Sequence, residues 1–224
     1  MADAKPVRIT RLIAIPAVIT LAVTILRVVG ELQHWPTPLF NTAAGGGAAL
    51  VGISWLPIIF GPYFALKLAA AGEGAASIGK ATGFAVLSLV VFALGGLLFG
   101  ATIAHPTLLT LVALLLMLGA AFVPGIGWRS LGNALVAYAF AARIPVLVVM
   151  YFAMSGNGGA GWGTHYDAVP PALAHASFGM KFLYAAIMPQ MTMWIGWTAW
   201  LGSIIGTVVT AIVRRGKQAA PAAA

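Results

Sequence analysis

The chain is 224 residues long with a mass of 23.1 kDa; 61% of its residues are hydrophobic, 7% are charged, and its formal charge is +8. Roughly a quarter of an ordinary soluble domain is charged, so this composition cannot cover a water-facing surface and points to lipid as the main solvent. The 12 Lys and Arg are scattered without a basic, aromatic-interleaved stripe, which argues against a nucleic-acid interface, and the lack of cysteine excludes disulfides, thiolate metal sites and thiol nucleophiles.

Residues 1–11 form a basic segment expected to stay in the cytoplasm. The apolar stretch 12–30 ends in Arg27 and Glu31 with no small-x-small cleavage site, so it reads as an uncleaved first span and not as a signal peptide. A helical span takes about 20 apolar residues. Further stretches of that kind lie at 47–70, 82–104, 106–127, 132–154 and 184–212, and a basic tail follows at 214–224. Their breaks carry turn residues: Pro36 and Pro38, Gly72-Glu73-Gly74, His105-Pro106, Pro124 through Gly127, and the glycine-rich run from Gly156 to Gly163. The break at His105-Pro106 is so narrow that a tight helical hairpin is predicted. The expected fold is all-α, a polytopic transmembrane bundle of about six spans in one domain over 12–213, with both termini inside. A five-span arrangement results if 132–142 lies along the interface.

Charge placement supports this topology. With the first span running outward, Lys5, Arg8, Arg11, Lys67, Lys80, Arg129, Arg214, Arg215 and Lys217 collect on the cytoplasmic side, and only Lys181 falls outside. Helices in lipid associate through close backbone approach, so the pairs Gly96/Gly100 and Gly202/Gly206 are predicted packing sites, within one chain or between chains. There is also an internal echo: Ile15-Pro16, His34-Trp35 and Trp55-Leu56 with Gly61 recur as Ile144-Pro145, His165-Tyr166 and Trp200-Leu201 with Gly206. A parallel duplication of this kind would match spans one and two to five and six, as in many transport folds.

The most anomalous residue is Arg143, deep within the fifth span with no acidic residue in any span to neutralise it. It could hold a phosphate or carboxylate through its planar fork, or cap carbonyls freed by Pro145, or snorkel. Arg27 has Glu31 four residues later and reads as a structural ion pair, partly hydrated near the outer boundary. His34, His105, His165 and His175 all fall on the outer side with Glu31 and Asp167. A zinc, copper or iron site built from His34, His165, Asp167 and His175 is conceivable, although no His-x-x-His spacing supports it and histidine is at home at an interface. Trp194, Trp197 and Trp200, three residues apart beside Met188, Met191 and Met193, form either a packed aromatic stripe or a pocket for a hydrophobic ligand such as a quinone.

No Walker loop, dinucleotide fingerprint, catalytic carboxylate pair or nucleophile–base spacing is present, and no motif specifies a cofactor. The glycine-rich run lacks the lysine of a phosphate loop. Three functional classes follow. A non-catalytic membrane subunit or scaffold, as a homo-oligomer or within a complex, matches the lack of a chemical motif. A carrier or channel for an anionic or neutral solute, or a lipid, would use Arg143. A membrane enzyme or metal holder would use the outer histidines. The one-sided distribution of cations leads to the expectation of a bacterial inner membrane.

Overall fold

A computed structural model describes residues 6–46, 48–103 and 107–219. Helix α1, Ile9–Leu32, is uncharged between Arg11 and Arg27 and runs through Pro16 without ending. Helix α2, Leu56–Ala70, opens with Pro57 in its first turn, where the missing N–H is unneeded. Helix α3, Ile78–Thr102, is capped by the Ser77 hydroxyl, which accepts from the Lys80 N–H. Helix α4, Leu108–Ala120, starts with a reciprocal cap between Thr107 and Thr110. A single turn, α5 at Pro124–Gly127, leads into α6, Arg129–Gly159, whose last residues leave helical geometry at Gly156, Asn157 and Gly158.

The last membrane segment is interrupted. Helix α7, Phe178–Lys181, passes into a π-helical turn at Phe182–Ile187, then into α8, Met188–Met191. Pro189 cannot donate to the helix ladder, and Thr192 breaks from helical geometry with φ −121° and ψ −74° before α9, Met193–Ala219.

Among the described residues, five helical units are long and apolar enough to cross a membrane: Ile9–Leu32, Ile78–Thr102, Leu108–Gly127, Arg129–Gly159 and Phe178–Arg215. The short one is α2. At 15 residues it reaches about 22 Å, less than the roughly 30 Å of hydrocarbon in a bilayer. The span expected at 47–70 is thus shorter than its hydropathy suggested. Ala48 takes a positive φ and residues 48–55 form turns, so only the second part of that stretch is helical. Residues 132–142, the alternative interfacial segment, are continuous α-helix inside α6.

The pattern of burial is that of a protein in lipid. Leu97, Leu108, Ile15 and Val18 are at least 66% exposed, while Thr20, Thr24, Ser88, Thr198, Ser203, Thr207 and Thr210 are buried. Five of these, Thr20, Thr24, Thr198, Thr207 and Thr210, donate to the carbonyl one turn earlier and so turn inward without an unmet donor, whereas Ser203 Oγ has no partner among the described residues. The Thr20 hydroxyl bonds the Pro16 carbonyl at 2.8 Å, which leaves the Tyr138 hydroxyl to donate to Thr20 and so joins α1 to α6.

Backbone contact holds the remaining helices. At Gly61 a Cβ would lie 2.2 Å from the Gly202 carbonyl oxygen, and at Gly206 it would lie 2.9 Å from the Gly61 oxygen, so α2 and α9 touch main chain to main chain. The second glycine pair behaves differently. Gly100 faces open space and Gly96 meets only the Met117 methyl at 3.4 Å, while neighbouring Gly95 makes the close approach, 2.9 Å from the Ala113 oxygen. Ser88 secures the same α3–α4 hairpin by donating to the Ala120 carbonyl at 2.7 Å.

The N-terminal segment, the turn between α2 and α3, the start of α6 and the end of α9 meet at one end of the bundle. Val7 N–H donates to Glu73, the Trp128 indole and Ser130 hydroxyl donate to the Glu73 carbonyl at 2.8 Å, and Arg214 donates to the Ala75 carbonyl at 3.3 Å. This is the basic end. The segments 33–55 and 160–177 roof the opposite, distal end.

The α2–α9 contact makes a direct prediction. Gly61→Ala forces two backbones apart and is expected to destabilise the protein in detergent by about 1–3 kcal/mol or more, whereas Gly100→Ala, with room around it, is expected to be neutral. Paired thermal-unfolding curves of the two variants check this.

Candidate functional site

Arg27 sits within α1, five per cent exposed, and turns toward the distal roof. Its Nε donates to Glu31, Nη1 to the Val51 carbonyl at 2.8 Å, and Nη2 to the carbonyls of Asn41 at 2.7 Å and Gly46 at 2.9 Å. One guanidinium therefore pins the segment 33–55 to α1. Gly46 and Gly52 allow this approach, since a Cβ at either would stand 3.1 Å from an Arg27 nitrogen.

Glu31 is one per cent exposed and carries the second half of the arrangement. Besides Arg27 it accepts from the His165 backbone N–H at 2.8 Å and faces His165 Nδ1 at 2.6 Å. Burial holds the imidazole below its ordinary pKa, against the opposing pull of the Glu31 carboxylate. A neutral ring that donates from Nδ1 satisfies both. The pair Arg27/Glu31 is thus not partly hydrated, as its position near a span end suggested. Segments 33–55 and 160–177 fold over it and shut water out.

Asp167 organises the second roof segment by itself. Its carboxylate accepts from the N–H of Gly163 at 2.9 Å, the N–H of Thr164 at 2.8 Å and the Thr164 hydroxyl at 2.6 Å. These bonds correct the four-residue metal set. His165 is committed to Glu31, Asp167 to its own turn, and His34 and His175 are exposed. No grouping of three metal-ligating side chains occurs among the described residues. His105 lies outside them.

Beneath the roof is a cavity of about 250 Å³. Arg143 enters it from α6, about 21 Å along the helix from Arg129 at 1.5 Å per residue and so well inside the apolar span. The side chain is buried, and its only hydrogen bond among the described residues runs from Nη1 to Gln190 Oε1 at 3.3 Å. Its guanidinium carbon lies 4.5 Å from the centre of the Trp194 ring, a cation–π contact. Its Nε is fully buried with no partner among the described residues. Neither the capping of carbonyls near Pro145 nor snorkelling accounts for this geometry. The described acids are engaged elsewhere: Glu31 with Arg27 and His165, Asp167 with its turn, and Glu73 at the basic end.

The three tryptophans pack in sequence as a stripe, Trp194 edge-on to Trp197 with ring centres 6.1 Å apart and Trp197 edge-on to Trp200 at 5.1 Å. Trp194 lines the cavity beneath Arg143, whereas the Trp197 indole donates to the Ser54 carbonyl at 3.0 Å and holds the roof. Trp197 and Trp200 both pack on Phe92, with ring centres 6.2 and 6.1 Å away. The rings do not form one ligand pocket.

Sequence reasoning missed Gln190 and the interrupted helix around it. A lone amide next to Pro189 inside an apolar stretch was the available signal. Gln190 reaches Arg143 only because the π-helical turn and the break at Thr192 reorient this segment, and such irregular backbone at membrane depth is tolerated where it lines a cavity. The matched residues of the internal echo are not equivalent here, since His34 is exposed and His165 is bound to Glu31. The helices it pairs do pack together, α1 with α6 and α2 with α9. Comparison of the chain with known protein families, characterised proteins and solved structures found no match.

Removing the carboxylate tests the roof. Glu31→Gln leaves Arg27 buried without its counter-charge, an imbalance that costs about 3–5 kcal/mol. Thermal unfolding in detergent should show the loss, and the double variant Arg27→Met with Glu31→Gln should recover part of it.

Proposed function

We propose that this integral membrane protein is an anion-binding carrier, in which Arg143 holds a carboxylate or phosphate group inside the distal cavity. The single observation that supports this is a buried arginine that lines the cavity with its Nε unpartnered and no acid beside it to neutralise it among the described residues. Placing an arginine at that depth costs about 2.5–3.5 kcal/mol on insertion scales, and a partner that is bound only transiently explains why no permanent one is built in. The interrupted final segment supports the same reading. Discontinuous helices beside a mid-membrane cavity are how transporters expose polar backbone to a solute.

A non-catalytic scaffold needs neither the cavity nor the unpaired charge. A metal enzyme of the outer histidines lacks an assembled ligand set. We place the basic end in the cytoplasm and the chain in a bacterial inner membrane, on the strength of the cations at that end.

The test joins stability and binding. In the absence of ligand, Arg143→Gln is expected to leave the melting temperature unchanged or to raise it, because a buried unpaired charge is removed. The same variant is expected to lose about tenfold or more in affinity for whichever of acetate, succinate, inorganic phosphate or octanoate the parent protein binds, as befits charge-assisted hydrogen bonds worth roughly 1.5–3 kcal/mol. A large drop in unliganded stability with unchanged anion binding would instead make Arg143 a structural residue and overturn the proposal.

A further inference from the structure

The cavity is mixed in chemistry, and that mixture identifies the class of anion. Its lining presents Arg143 from α6, Gln190 from α8, Thr24 from α1 and the Tyr166 ring from the roof, and with them the apolar Phe99, Ile103 and Leu114 of the α3–α4 hairpin and Met150 of α6. A small hydrophilic anion such as phosphate would satisfy the polar groups and leave the apolar ones unwetted. An uncharged hydrocarbon would do the reverse. The wall also reaches the outside of the bundle. Ile103 and Tyr184 both line the cavity, yet they are 43% and 40% exposed, so the apolar lining meets the lipid-facing surface between the end of α3 and the π-helical turn.

From this, and resting on the anion-binding reading above, we infer that the ligand is a single-chain amphipathic oxyanion. Its carboxylate or phosphate lies on Arg143 with Gln190, and its hydrocarbon chain runs along Phe99, Ile103 and Leu114 toward the lipid. The volume of about 250 Å³ lies just below the roughly 300–1,000 Å³ of drug-sized pockets. It takes the head and the first part of one chain, and the remainder leaves through the side opening. Trp194, stacked on the guanidinium and itself lining the cavity, keeps water from the charged pair.

Calorimetric titration of the full chain in detergent micelles tests this, with butanoate, hexanoate and octanoate as the probe series, octanol as the uncharged chain, and acetate and inorganic phosphate as chainless anions. The expected result is an affinity that rises about fourfold per methylene across the carboxylates, with octanol, acetate and phosphate at least about tenfold weaker than octanoate. Arg143→Gln removes octanoate binding. Ile103→Trp, placed on the exposed rim where it does not disturb the core, weakens octanoate while leaving the unliganded melting temperature unchanged. If acetate or phosphate binds as tightly as octanoate and depends on Arg143, the amphiphile is overturned and the anion site stands. If octanol binds as tightly as octanoate, or if no probe binds, both readings fall. Should Arg143→Gln not fold, the comparison of octanoate with octanol on the parent protein decides the need for charge, and Ile103→Trp decides the side opening.

Discussion

Glu31 is approached by three donors from two parts of the chain in a place where water cannot help it. Arg27 reaches it from the turn before on α1, and the backbone and ring of His165 reach it from a segment 134 residues away. Through Arg27 the same carboxylate governs the segment 33–55, whose carbonyls take three of the four remaining guanidinium hydrogens. In water each of these bonds would add about a kilocalorie at most, because solvent competes for both partners. At a buried helix end the alternative to each bond is an unsolvated charge, so the arrangement is kept together or lost together. The shape of the cavity below follows from that roof.

The two arginines inside spans show how differently the same side chain can be treated. Arg27 is enclosed by a carboxylate and three carbonyls, and it serves to hold the chain. Arg143 has one amide, one aromatic face and an unmatched Nε. Both bury a full positive charge. A cation–π contact and a single long hydrogen bond offset only part of the desolvation of an ion in the interior, which takes several kcal/mol. The deficit at Arg143 is what the proposed anion would offset, and the residue stands beside a cavity able to admit one.

Helix packing sets where these groups stand. Contact between Gly61, Gly202 and Gly206 brings α2 and α9 together at main-chain distance, and α9 begins beside Arg143 with Trp194. Between α8 and α9 the chain breaks at Thr192, so the last segment is rigid on the basic side and irregular beside the cavity. Lipid tails are as apolar as leucine, so close approach and inward-facing hydroxyls decide which faces meet.

Hydropathy summed over some twenty residues is a local property, and it located the spans, the α3–α4 hairpin and the anomaly of Arg143 without reference to any neighbour. The Arg27–Glu31 pair was also legible, because its four-residue spacing fixes it on one helix face. Tertiary structure decided the rest. Whether 48–55 continues a helix depends on the roof that Arg27 anchors, not on apolar content. Which glycine touches a backbone depends on how a helix is rotated, and in lipid both the inner and outer faces are apolar, so Gly95 and Gly96 look alike until the hairpin closes. Water is shut out of Glu31, and Gln190 is delivered to Arg143, by contacts between segments far apart in the chain, and a charge reveals its purpose only when the groups that do and do not neutralise it are in place.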